Sequence, residues 1–338
     1  MKKSVLFGTL ATAALVAGAA SATTLDDVKA RGVLNCGTNI ALTGFAAPDA
    51  DGNYQGFDVD VCKAVAAAVL GDQSKIKYVP LTGETRFTAL ASGEVDVLVR
   101  NSTWTFSRDT DLNLDFVAVN YYDGQGFMVK KDLGVSSAKE LDGATICIQT
   151  GTTTELNLAD FFKANNITYT PVTVGDDAEA QRQFLAGACD AFTTDASGLA
   201  STRAVLPNPA DYVILPEIIS KEPLGPVVRH GDNAWGDIVR WTYYALVDAE
   251  EKGITKANID EVAASTTDPE VRRLLGLEGD MGKMIGLDNE WAKRAIAANG
   301  NYGEIFEANI GASTPIGLAR GLNALWTQGG LQYAPPFR

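Results

Sequence analysis

Residues Gly56–Val69 read GFDVDVCKAVAAAV. Gly and Phe open the stretch, acidic and aliphatic residues alternate through Asp58, Val59, Asp60 and Val61, and small residues follow at helical spacing. The spacing predicts a helix over Val59–Leu70 with a small apolar face that lets neighbours approach closely. On either side, short apolar runs alternate with helical patterns. Gly32–Thr38 (GVLNCGT), Lys75–Pro80 (KIKYVP) and Val95–Val99 (VDVLV) read as strands, and Arg86–Ser92 as a short helix stopped at Gly93. The βαβαβ order implies a parallel sheet covered by helices.

The pattern then restarts. Ala144–Gln149, Ile167–Val174 and Asp190–Thr194 read as strands, and Thr154–Asn165 and Ala178–Ala186 as helices. Leu156, Leu158, Phe161 and Phe162 mark the expected buried side of the first of these helices. Two similar α/β units in tandem suggest two lobes. Two extended segments, Tyr121–Val129 and Pro216–Pro226, supply the crossings that a hinge requires. The expected division is 23–122 for the first lobe, 123–222 for the second, and 223–338 for the return and a helical C-terminal extension. In that extension Trp235–Glu251, Pro269–Leu275, Trp291–Ala298 and Gly317–Trp326 read as helices, and Thr327–Arg338 as irregular.

Lys2 and Lys3 precede an uncharged apolar run, Val5–Ala20, and Ala20-Ser21-Ala22 fits the small-residue cleavage pattern. An export signal over 1–22 is therefore expected, with cleavage after Ala22. The formal net charge of −14 argues against sequence-independent nucleic-acid or anionic-membrane binding. Export permits disulfides. Cys36 falls on the first strand and Cys62 on the first helix, while Cys147 and Cys189 fall in the second unit, so the expected pairs are Cys36–Cys62 and Cys147–Cys189. A zinc site is disfavoured, because no CxxC occurs and His230 is the sole histidine.

Three loops offer chemistry. Asn101–Arg108 (NSTWTFSR) follows a strand end, where open α/β sheets bind ligands. The planar fork of Arg108 suits a carboxylate, with the Thr103 hydroxyl beside it; the plainer alternative is a surface Arg108 paired with Asp109 or Asp111. Gln149–Glu155 (QTGTTTE) joins a strand to a helix, with Gly151 in a tight turn and Thr153 or Thr154 as cap; it suits an anion, or only the cap. Asp195 follows the strand Asp190–Thr194, where it can pair with an ammonium or cap the next helix. No Ser-His-Asp, HExxH or P-loop pattern appears, and nothing calls for a cofactor.

Together these runs, with GFDVDVCKAVAAAV, TWTFSRDT, YYDGQGFMV and LPEIISKEPLGP, make the chain similar to the polar amino-acid-binding receptors that feed ABC importers. The match is best to their longer, general L-amino-acid subgroup. The resemblance implies a two-lobe periplasmic binding protein fold of type II, each lobe a mostly parallel sheet flanked by helices. It further implies a periplasmic, monomeric receptor that captures free L-amino acids with broad specificity and delivers them to permease subunits. By the family's pattern, Asn101, Thr103 and Arg108 would hold the ligand carboxylate, Gly151–Thr153 would contribute a second-lobe turn, and Asp195 would hold the ammonium. Relatives often carry an aromatic residue at Leu42 and Pro at Gly44; here Asn39–Phe45 (NIALTGF) offers a smaller, more neutral wall. Asn39, Leu42, Trp104, Gln149 and Thr154 complete the candidate set, with Leu42, Trp104 and Gln149 as side-chain selectors. The same fold hosts dehydratases and non-transport sensors, which remain the alternatives.

Overall fold

The computed structural model describes residues 23–338, so the export signal expected over residues 1–22 lies outside the described residues. Among those described, no helix is long and apolar enough to cross a membrane.

The chain begins with α1 (Thr24–Arg31), β1 (Leu34–Thr38), a small hairpin of β2 (Ala47–Pro48) and β3 (Tyr54–Gln55), and α2 (Phe57–Leu70). It continues through β4 (Ile76–Pro80), α3 (Arg86–Ala91), β5 (Val97–Leu98), α4 (Phe106–Thr110), β6 (Leu114–Phe116) and β7 (Tyr121–Asp123). A second unit follows: β8 (Gln125–Lys130), β9 (Ala144–Gln149), α5 (Thr153–Ala164), β10 (Tyr169–Val174), α6 (Asp177–Leu185), β11 (Ala191–Asp195), α7 (Ala196–Ala204) and β12 (Tyr212–Ile214). The return runs through β13 (Glu222–Leu224) and β14 (Val227–Arg229) into α8 (Asn233–Glu251), α9 (Ile259–Ser265), α10 (Pro269–Leu274), α11 (Met281–Met284), α12 (Trp291–Asn299) and α13 (Tyr302–Asn309).

Two five-stranded sheets result, ordered β4-β1-β5-β14-β6 and β10-β9-β11-β8-β12. Between them, β7 and β13 pair antiparallel, Glu222 opposite Asp123 and Leu224 opposite Tyr121. This two-stranded hinge carries both crossings, and the molecule has the two-lobe fold. Each sheet is mostly parallel, as expected, with one reversed strand: β4, β1, β5 and β6 run one way against β14, and β10, β9, β11 and β12 run one way against β8. The parallel strands are linked by helical crossovers. Strands β8 and β14 enter by the extended hinge crossings, so no helix dictates their direction.

The signature stretch has a structural reason for each letter. Gly56 has φ +134°, and a Cβ there would lie 2.3 Å from the Phe45 carbonyl oxygen. Phe57 is fully buried and meets Phe45, Tyr121, Tyr302 and Phe306 edge-on. Ala64, Ala66 and Ala68 are buried in the core cluster that also contains Val239 of α8 and Ala292, Ala295 and Ile296 of α12. Disulfides join Cys36 to Cys62 and Cys147 to Cys189, with Cα atoms 6.3 and 5.6 Å apart, one in each lobe.

Two local expectations fail. Leu156 is 69% exposed, while Leu158 and Phe162 carry the buried face of α5. No α-helix spans 317–326: Gly317 and Gly321 adopt positive φ, and only two 3₁₀ turns, Gly321–Asn323 and Trp326–Gln328, form. The helix that does form is α13, closed at its start by a capping box between Asn301 and Glu304. The segment after it returns to the hinge. The Asn323 side chain accepts from the Tyr122 N–H at 2.7 Å and donates to the Tyr122 carbonyl at 3.1 Å. Arg320 pairs with Glu250 through two contacts of 3.0 and 3.1 Å and lies over the Tyr302 and Phe306 rings.

Candidate functional site

The loop after β5 is built around a buried acid from the signature stretch. Asp58, in the first turn of α2, accepts from the Asn101 N–H at 3.1 Å and from Asn120 Nδ2 at 3.3 Å. Burial pushes its carboxyl up to about 6. Asn101 has φ +27°, a conformation that Asn tolerates better than most residues. So held, its side chain reaches across the cleft to Asp195 Oδ2 at 3.3 Å and accepts from Asn39 Nδ2 at 3.1 Å.

Arg108 is buried on α4 and donates from Nη1 to the Thr103 carbonyl at 3.0 Å; it lies over the Phe87 ring. Asp109 and Asp111 are not its partners. Desolvation pulls its guanidinium down to about 10, against the attraction of Glu222 and Asp195. Two further arginines that the sequence did not single out are buried beside it. Arg86 of α3 donates to Ser102 Oγ at 3.3 Å, while its Nε has no hydrogen-bond partner among the described residues. Arg100 donates from Nε to the Leu81 carbonyl at 2.9 Å. Desolvation lowers both, and Arg100 and Arg108 lower Arg86 further by repulsion. The first-lobe wall of the cleft is therefore cationic.

The facing wall is acidic. Asp195 ends β11, is buried, and makes no cap bond to α7. Burial raises its carboxyl well above the usual range, and the charges of Asp123 and Glu222 raise it further. Asp123, on the hinge, accepts from the Gly124 N–H at 2.8 Å and from Ser197 Oγ; burial raises it to about 6. Asp177, at the start of α6, accepts from Asn39 Nδ2 at 3.2 Å. A second acidic residue, not apparent from sequence, is thus present several times over.

The lobes are closed on one another. Besides the Asn39–Asp177 and Asn101–Asp195 contacts, Thr103 Oγ1 lies 3.3 Å from Thr153 Oγ1. The loop at Gly83 packs on Thr150 and Thr152 so closely that a Cβ would lie 2.8 Å from the Thr150 carbonyl oxygen. Gly151 sits in the left-handed region against Glu84. The cap of α5 is Thr152, not Thr153 or Thr154; it accepts from the Glu155 N–H. This frees the Thr153 hydroxyl, while Thr154 Oγ1 pairs with Thr152 Oγ1 at 2.7 Å.

Structure thus brings Asn39, Asn101, Thr103, Arg108, Thr153 and Asp195 together. Gln149 is buried nearby and donates to the Gly175 carbonyl at 3.0 Å. Leu42 packs into the first-lobe core, with its backbone bridged to Ala46. Trp104 is placed elsewhere: 40% exposed, it stacks on Phe116 and lines a cavity of about 350 Å³ with Tyr122, Arg240, Tyr244 and Tyr333. His230 is exposed and contacts Asp115.

The family of bacterial extracellular solute-binding proteins, family 3, matches residues 34–273. The chain is 83% identical over 338 residues to the glutamate/glutamine/aspartate/asparagine-binding protein BztA of Rhodobacter capsulatus, covering all of both chains. It is 60% identical over 342 residues to the general L-amino acid-binding periplasmic protein AapJ of Rhizobium johnstonii, again covering all of both. A solved ABC transporter periplasmic binding protein of Brucella ovis, with glutathione bound, superposes with a TM-score of 0.92 at 56% identity, covering 94% of this chain and all of that one.

Proposed function

This chain belongs to the bacterial extracellular solute-binding proteins of family 3, and we propose that it captures free L-amino acids of broad range, with those bearing a carboxylate or carboxamide held best. It is an amino-acid-binding receptor of an ABC importer. One observation supports the specificity: the cleft is polarised, with Arg86, Arg100 and Arg108 on the first lobe and Asp123, Asp177 and Asp195 on the hinge and second lobe. A zwitterion spans such a gap with its carboxylate on the cationic wall and its ammonium on the acidic one. Arg108 is read as the α-carboxylate clamp, with Asn101, Thr103 and Thr153 beside it. Asp195 is read as the ammonium partner, and the remaining donors of Arg86 as the reader of a side-chain carbonyl or carboxylate. The names of the two relatives accord with this range.

The lobe boundaries are read as 23–122, 123–222 and 223–338, supported by the sheet memberships. Export with cleavage after Ala22, a periplasmic location, a monomeric state and delivery to permease subunits complete the reading, and no reaction is assigned to the cleft. Calorimetry on the mature protein with L-glutamate, L-glutamine, L-aspartate, L-asparagine, L-lysine, L-leucine and glutathione tests it. Tightest binding is expected among the first four, with the ligand recovered unchanged by mass spectrometry. Equal or tighter binding of L-lysine would overturn the polarised-wall reading, and a ligand recovered chemically altered would overturn the assignment of a pure receptor.

A further inference from the structure

Glu222 is buried on hinge strand β13. Its carboxylate accepts from four side chains drawn from three parts of the molecule. Thr103 Oγ1 donates at 2.6 Å from the first lobe. Thr153 Oγ1 and Asn157 Nδ2 donate at 2.9 and 2.7 Å from α5 of the second lobe. Ser220 Oγ donates at 2.6 Å from the crossing itself. The two oxygens divide the work: Oε2 takes both threonines, and Oε1 takes Asn157 and Ser220.

Hydrogen bonds to an ionised acceptor are roughly twice as strong as neutral ones. A hydroxyl also has a single proton, so the acceptor that takes it fixes where the lone pairs point. The backbone of the Thr103 loop is tied to β13, by a bridge between Thr103 and Leu224 and by the Trp104 N–H on the Pro223 carbonyl at 2.8 Å. Thr153 and Asn157 belong to the other lobe. A full set of donors around Glu222 therefore requires the lobes to be shut.

We propose that Glu222 is a positioning residue that couples hinge closure to the ligand-holding surface, by orienting the Thr103 and Thr153 hydroxyls and by tying α5 to β13 in the closed form. The proposal rests on the reading of Thr103 and Thr153 as ligand-holding groups. Glu222→Gln keeps the shape but removes the charge, and one of its two positions becomes a donor facing donors. Calorimetry with L-glutamine and L-glutamate, together with small-angle scattering with and without saturating ligand, tests it. Glu222→Gln is expected to weaken both ligands at least about tenfold and to leave a larger radius of gyration at saturation than the wild type. Asn157→Ala is expected to give a smaller loss in the same direction, and little further loss when added to Glu222→Gln, because both remove one network. Affinity within twofold of wild type with equal compaction, or tighter binding, would overturn the proposal. Should Glu222→Gln fail to fold, Asn157→Ala and Thr153→Val carry the test by the same two readouts. A wild type that binds no amino acid would instead overturn the receptor reading itself.

Discussion

Replacing Arg108 by lysine keeps a cation but loses the planar fork and the bond to the Thr103 carbonyl. Truncating one partner of a buried charge pair costs about 2–5 kcal/mol, so Arg108→Ala is expected to weaken every amino acid by that order with the fold intact. Calorimetry and circular dichroism check both halves. Asp195 sets a pH dependence of binding. Burial and the neighbouring charges of Asp123 and Glu222 make the ligand-free carboxyl hold its proton more tightly than usual. An ammonium beside it favours the ionised form, so binding expels a proton and affinity rises with pH. Titrations between pH 5 and 8 should show this slope, and Asp195→Asn should flatten it while weakening binding. Stability of the ligand-free protein runs the other way. Asp58 and Asp123, raised to about 6 by burial, contribute stability that is full below the unfolded value near 4 and is lost as pH rises through 6. Thermal unfolding without ligand is therefore expected at higher temperature at pH 5 than at pH 7. Of these residues Arg108 and Asp195 were singled out in the sequence, Arg108 in the run that follows a strand and Asp195 at the end of one. Glu222 was not: its donors Thr103, Thr153 and Asn157 lie 119, 69 and 65 positions away, and no local pattern encodes such a meeting. Arg86 and Arg100 are buried against Ser102 and Leu81, in contacts between separate runs of the first lobe that no local pattern encodes.

Elements repeat the lesson. The helix α2 announces itself through periodicity and small residues, and its start is fixed by Gly56. Gly56→Ala would force a Cβ against the Phe45 carbonyl oxygen at a backbone angle that L-residues rarely adopt. A cost of about 3 kcal/mol or more is expected, read as a lowered urea midpoint. A loss under about 1 kcal/mol would mean that the Phe45 turn relaxes freely. The helix α13 also carried a signal, the Asn301–Glu304 capping pair, but Gly300 and Gly303 masked it. The run at 317–326 has apolar spacing without a cap, and its glycines turn the chain instead. The one reversed strand in each sheet left no such signal: strand direction is set by how the chain arrives, and a hinge crossing leaves no periodicity.

At the scale of the molecule, the two lobes and the hinge determine what a measurement of shape should see. Saturating L-glutamine is expected to reduce the radius of gyration, as the cationic and acidic walls are drawn onto one zwitterion; ligand binding without compaction would contradict a hinge mechanism. Residues 274–338 lie beyond the family's matched region, yet Asn323 from that segment holds both backbone polar groups of Tyr122. Strand β7 has β13 along one edge and a single side-chain amide along the other. The Tyr122 amide proton is thus a built-in reporter. Its solvent exchange is governed by how often the tail peels from the pivot, and Asn323→Ala should speed that exchange at Tyr122 while leaving the amides of β9 as slow as before.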